Sequence, residues 1–161
     1  MAIPETPPAT DRRVKETTPF AALCFITRAT LPTLSQYAGH VADDLYQEAE
    51  RLKLDVTGPI QWIYTGVNGD EANEFQLEIA LPICQPAHAS GQFRYQVFPA
   101  FRFISFIHAG PWTELGRVYD RLFSQFYRDG YQNDGRIREV FAVLDLANPA
   151  NCVTEIQIGV V

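Results

Sequence analysis

The sequence predicts an α+β fold built from two copies of a β-α-β-β unit. The copies are expected to share an antiparallel sheet with two helices on one side, and the opposite faces of the halves to meet or leave a groove. Three observations lead there. The chain has 161 residues, about the length of one domain. Its hydrophobic period switches from two to 3.6 and back, twice over. The second round repeats the element order of the first.

The elements follow in chain order. Residues 1–14 hold three prolines and no periodicity, and are expected to be a flexible leader before a domain over 15–161. Pro19 to Arg28 reads as a strand through Leu23, Cys24, Phe25 and Ile26, closed by Leu31-Pro32. Thr33 then reads as a helix cap, with Gln36 three residues on as its capping-box partner. Leu34, Tyr37, Ala38, Val41, Leu45, Ala49 and Leu52 follow at helical spacing. After Gly58-Pro59, strands are expected over Ile60 to Thr65 and Phe75 to Ile83, joined by a turn through Asn68-Gly69. The second of these alternates Phe75, Leu77, Ile79, Leu81 and Ile83 against Gln76, Glu78 and Ala80.

The second half opens with one long strand from about Phe93 to His108. Leu115, Val118, Tyr119, Leu122, Phe123, Phe126 and Tyr127 then follow a helical period that Gly130 ends. Strands over Arg138 to Leu144 and Thr154 to Val160 complete it, around a turn at Asn148-Pro149. Pro19 to Ala29 aligns with Pro99 to Ala109 at an offset of 99 − 19 = 80, which the expected caps Thr33 and Thr113 share. Glu78-Ile79 aligns with Glu155-Ile156 at 155 − 78 = 77. The difference is assigned to the helix-to-strand connection, and the halves to about 15–84 and 93–161.

Charge and cysteine usage exclude several classes. The net charge is −6 and no Lys/Arg cluster occurs, so direct contact with nucleic acid or an anionic membrane is not expected. Cys24, Cys84 and Cys152 are odd in number and form no C-x-x-C, which favours reduced thiols in the cytoplasm. His40, His88 and His108 show no ligand spacing, so neither a metal nor a cofactor is expected. Gly-rich phosphate loops, G-x-S-x-G and Cys-His pairs are also absent from the sequence.

Strand alternation points to the candidate site. Val140, Ala142 and Leu144 share a face suited to lie under a helix, which puts Glu139, Phe141 and Val143 on the other. By the repeat, Trp62 corresponds to Glu139 and Tyr64 to Phe141. The helix-free face should therefore gather Trp62, Tyr64, Phe141 and one carboxylate, Glu139. A carboxylate among rings suits a lipophilic cation, and desolvation there would raise its pKa as a general acid requires. The same pattern also fits an edge-strand Glu beside core aromatics. In His108-Ala109-Gly110-Pro111-Trp112, Trp112 either covers one end of the groove or staples the helix start. Glu78 and Glu155 occupy matching positions on polar strand faces, where solvation explains them.

The run His108-Ala109-Gly110-Pro111-Trp112 precedes an amphipathic helix with Tyr119 and Leu122. Asp129-Gly130, Arg138-Glu139-Val140-Phe141 and a Thr154-to-Val160 strand follow. In that order the set resembles the gyrase-inhibitor-like small-molecule-binding family, which includes effector-binding domains of multidrug-responsive transcription regulators. The resemblance covers about Lys15 to Val161 and implies a pseudo-twofold pair of β-α-β-β units with a ligand cleft between the halves. It implies an acidic residue deep in an aromatic cleft, matched by Glu139, with Trp112 as the aromatic after the Gly-Pro and Glu155 or Gln157 on the last strand beside the cleft. Many members carry Tyr where this chain has Phe141, and no helix-turn-helix segment precedes Lys15.

Three functions are open at this point. One is sensing or sequestration of an amphipathic, cationic small molecule. The second is hydrolysis of reactive cyclopropane-bearing natural products, which the resemblance allows, with Glu139 and Tyr64 as the catalytic pair. The third is a protein-partner role, such as modulation of a topoisomerase, or a homodimer through an open sheet edge. The binding reading is favoured over the enzyme because Phe141 lacks a hydroxyl.

Overall fold

The structure, a computed structural model, describes residues 9–161, with side chains from residue 13 onward. Eight strands form one fully antiparallel sheet in the order β1-β6-β8-β7-β3-β4-β2-β5. They are β1 (Ala9–Thr17), β2 (Phe20–Ala29), β3 (Gln61–Thr65), β4 (Phe75–Ile83), β5 (Arg94–Phe98), β6 (Phe101–Ala109), β7 (Asn133–Val143) and β8 (Val153–Val160). Two α-helices, α1 (Val41–Arg51) and α2 (Leu115–Arg128), lie on one face. Replacing each strand of the first half by its counterpart in the second reverses the sheet order, so a pseudo-twofold axis passes between β3 and β7.

The helices form where the sequence places apolar residues three and four apart. Val41, Leu45 and Ala49 of α1 are buried, as are Leu115, Val118, Leu122 and Phe126 of α2. They pack on Leu23, Leu77, Ile79, Leu81, Ile104, Phe106, Ile156 and Ile158 in a single core. Both helices end on a left-handed residue. Gly130 (φ +91°) closes α2, and Lys53 (φ +56°) stands at the equivalent place after α1. The Tyr131 N–H then reaches back to the Phe126 carbonyl, and that of Leu54 to Ala49.

Four expectations require correction. Ala9–Thr17 pairs with β6, so the segment read as a leader to Val14 is a strand from Ala9; residues 1–8 lie outside the described region. The long strand is two, because the chain leaves β5 at Pro99-Ala100 and crosses to a different neighbour. Thr33 caps no α-helix. Thr30 caps a 3-10 segment (Leu31–Tyr37), and Thr33 is the inner partner of that capping box. Thr113 likewise sits inside a 3-10 turn, Trp112–Glu114, that leads into α2.

The repeat register also shifts by one. Phe25 pairs with Ile79 as Phe106 pairs with Ile156, and Ile79 matches Ile156 in the repeat, which makes β2 and β6 equivalent at 106 − 25 = 81. The proline match at 80 would have turned every side chain of one strand to the wrong face. Lys53 and Gly130 already differ by 130 − 53 = 77. The extra four residues therefore lie at the start of the first helix, where the 3-10 segment is longer, and not in the connection after it.

β1 and β5 are exchanged between the halves: β1 borders β6, and β5 borders β2. The helix-free face carries a second, smaller cluster of Ala22, Cys24, Ile63, Ala80 and Phe98, flanked by Phe20 and Ile26. Among the described residues no helix is long and apolar enough to cross a membrane.

Candidate functional site

The two central strands, β3 and β7, meet at the pseudo-twofold axis with Trp62 directly opposite Glu139 and Tyr64 opposite Ile137. Direct cross-strand partners project to the same side. Trp62, Tyr64, Glu139 and Phe141 therefore share one face. It is the face covered by the helices, and not the helix-free one expected from sequence, because α2 contributes Tyr119 to the same group. Val140, which had looked like a residue under a helix, lies on the opposite side with Ala142 and Leu144 exposed beyond it.

Glu139 is 2% exposed and is the centre of the arrangement. The Tyr64 hydroxyl donates to Oε1 at 2.5 Å, and the Tyr119 hydroxyl donates to Oε2 at 2.5 Å. Both carboxylate oxygens thus have short, charge-assisted donors. Burial raises the pKa of Glu139, and the tyrosine hydrogen bonds offset part of that rise. Burial, with the adjacent carboxylate, pushes both tyrosines well above the ordinary phenol range. At neutral pH both hydroxyls keep their protons and donate them to the carboxylate.

The rings around this carboxyl pack at an angle, tilted for Trp62 against Trp112 and Tyr64 and edge to face for Trp62 against Phe141. Trp62 lies 5.3 Å from Trp112, 6.2 Å from Phe141 and 6.4 Å from Tyr64, centroid to centroid. Trp112 arrives on the loop after β6. Gly110 (φ +134°) turns the chain there, and His108 holds the turn with Nε2 3.3 Å from the Pro111 carbonyl oxygen. The Trp112 indole lies near enough to Glu139 to help hold its carboxyl down, yet its buried N–H makes no hydrogen bond of normal geometry. Thr154, opposite Phe141 on β8, has a buried hydroxyl that is also unpartnered. Two buried polar atoms thus stand unused on the face that carries Glu139.

Five of the expected site residues converge: Trp62, Tyr64, Trp112, Glu139 and Phe141. Glu155 and Gln157 do not. Glu139 pairs with Ile156, so the residues on either side of Ile156 point to the opposite face, where the Gln157 amide donates to Glu155 at 2.6 Å. Tyr119 was absent from the expected set. Its signal was a tyrosine on the apolar face of an amphipathic helix, since a phenol buried there requires an acceptor. Among the described residues no group of His, Cys, Asp and Glu could hold a metal ion.

A buried carboxylate bridged by two tyrosines, in an aromatic seam between duplicated halves, defines a small-molecule-binding domain of the paired β-α-β-β class. The chain belongs to the GyrI-like small molecule binding domain family, whose model matches residues 13–161. Solved structures share the fold. The EcmrR C-terminal domain superposes with a TM-score of 0.75 at 21% identity, over 92% of this chain and 96% of that one. SAV2435 bound to tetraphenylphosphonium gives 0.63 at 12% identity, over 92% and 93%. A hydrolase encoded by lin2189 from Listeria innocua gives 0.61 at 13% identity, over 95% and 94%. No curated protein sequence matches this chain.

Proposed function

We propose that this domain binds an amphipathic organic cation on the carboxylate of Glu139, in the seam lined by Trp62, Tyr64, Trp112, Tyr119 and Phe141. The observation that carries the reading is a buried carboxylate with no cationic side chain among its hydrogen-bond partners, surrounded instead by ring faces and phenols. Such a group costs free energy unless a ligand recovers it, and a lipophilic cation recovers it twice, through the charge and through the ring quadrupoles. Trp112 is the ring best placed to move aside. It opens the short 3-10 turn before α2, is half-buried, and leaves its N–H unsatisfied. The tetraphenylphosphonium in SAV2435 is a ligand of this chemistry and serves as the probe.

The test is thermal unfolding against tetraphenylphosphonium, other hydrophobic cations and neutral compounds of matched size. A ligand that binds only the folded state raises the midpoint, by about 2.7 kcal/mol of stability at a hundred times its dissociation constant. A rise confined to cations supports the reading, and equal rises for neutral and cationic compounds refute it.

A second reading rests on the Tyr64–Glu139 contact. If the site hydrolyses a reactive cyclopropane-bearing compound, Glu139 positions or activates water and Tyr64 hands a proton to the departing carbon. Turnover unchanged in Glu139→Ala would remove that reading. Free thiols at Cys24, Cys84 and Cys152 support a cytoplasmic setting, in which the domain acts by sensing or sequestering its ligand.

A further inference from the structure

The helix-free face of the sheet buries a cation that the Glu139 site does not use. Arg138 on β7 is 3% exposed, and its Nη1 is buried with no hydrogen-bond partner. The Phe101 ring lies 4.1 Å from the guanidinium carbon, and the Phe20 and Phe98 rings lie at 5.7 Å. The carboxylates that act on it do so through space and are engaged elsewhere: Glu78 accepts from the Gln76 amide, and Asp134 pairs with Arg136. Burial, aided by the charge of Arg136, lowers the guanidinium to about 10. Unpaired buried charges are costly, and buried cations ordinarily carry a counter-ion.

The partner it lacks has a matching feature on the next strand. Gln61 is the pseudo-twofold mate of Arg138, at 138 − 61 = 77, and projects to the same face. It stands opposite Val140, two residues from Arg138, so the two are diagonal neighbours about 7–8 Å apart along the backbone. Its Oε1 is buried and unpartnered as well. An amide presents either its oxygen or its NH2 after a half rotation. Two unpartnered groups thus flank the axis on the side of the sheet opposite Glu139, and both can donate.

We propose that Arg138 and Gln61 form a second binding site, for a small planar monocarboxylate. One carboxylate oxygen accepts from Arg138 Nη1 and the other from the Gln61 amide, with the organic group against Phe20 and Phe98. The shape follows from the rings. Phenylalanine against the guanidinium leaves its N–H edge as the binding direction, and a planar carboxylate meets that edge in plane. A single negative charge adds less repulsion beside the buried Glu78 carboxylate than a phosphate dianion would.

The test is calorimetric titration of the full chain with benzoate, alongside benzamide and phosphate. Benzoate is expected to bind and the other two are not. Gln61→Leu should weaken benzoate about tenfold, the usual effect of losing a hydrogen bond to a charged group. Without ligand its unfolding midpoint should be unchanged or higher, because an unsatisfied acceptor has gone. Arg138→Lys, which keeps the charge and loses the fork, should weaken benzoate further. Benzoate and tetraphenylphosphonium should bind together without competing. Benzoate affinity equal in wild type and Gln61→Leu, competition between the two ligands, or no benzoate binding would each overturn the proposal. Because the two probes differ, failure here leaves the Glu139 reading standing, and failure of that reading leaves this one.

Discussion

Replacing Glu139 by Gln separates charge from shape at the seam. The amide has the volume of the carboxyl and keeps both tyrosine contacts: its oxygen accepts from one hydroxyl, and its NH2 donates to the other after that hydroxyl rotates. What disappears is a negative charge. For a cation centred ~5 Å from the carboxylate, at an effective dielectric of ~20, the lost attraction is about 3 kcal/mol. That corresponds to roughly a hundredfold in affinity. A neutral triaryl analogue should change by less than about threefold, since its contacts are with rings.

Stability should move the other way. Glu139 is 2% exposed and its pKa is raised by burial, so the folded state holds its proton to higher pH than the unfolded chain does. The contribution of this group to stability is fullest below the ordinary carboxylate range and falls as pH rises through the raised value. Glutamine removes that fall. The variant should be more stable than the wild type at neutral pH and show no gain in acid, a difference that urea titrations at two pH values would resolve. Parallel loss of cationic and neutral ligands, or a variant less stable than wild type at neutral pH, would refute the reasoning.

Other outcomes follow from the same geometry. Wild-type affinity for tetraphenylphosphonium should rise with pH across the range where Glu139 ionises, and that rise should vanish in Glu139→Gln. Tyr119→Phe removes the donor to Oε2, so the carboxyl should titrate higher still and cation affinity at neutral pH should fall about tenfold in a calorimetric titration. Lys53→Gly should stabilise the chain by about 1 kcal/mol in thermal or urea unfolding, because Lys53 holds a left-handed conformation that glycine adopts freely. Gly159→Ala should cost about 1–3 kcal/mol in the same measurement, since a Cβ there collides with the carboxylate of Asp134, which is fixed by the Arg136 N–H.

Much of the fold was readable where apolar residues alternate along a strand. β4 runs from Phe75 to Ile83 as the alternation predicts, and the duplicated order emerges as the symmetric sheet. The errors share a cause: local pattern does not say which of two faces a neighbour will cover. Val140 and Ala142 of β7, with Leu144 just beyond its end, form the more apolar row, yet the helices cover the row with Glu139, because two phenols make a carboxyl acceptable in that core. The proline match between Pro19 and Pro99 hid a one-residue shift that only strand pairing reveals. Glu139, Trp62, Tyr64 and Trp112 could be found from alternation and a motif. Tyr119 and Tyr127 were the two hydroxyl-bearing residues on the expected apolar face of α2, and only the fold puts Tyr119 over Glu139.

The exchanged edge strands make the two repeats dependent on each other. β1 finds its partner in β6, and Thr17 meets Phe101 across 101 − 17 = 84 residues. β2 gains its outer neighbour only when β5 is in place, and Phe20 meets Phe98 across 98 − 20 = 78. Such distant pairings slow folding, because the loop must close before the contact rewards it. They also mean that neither half, made alone, could finish its own sheet. A duplication that reads as two units along the chain behaves as one interlocked object, and a ligand held at the seam would stabilise both repeats together.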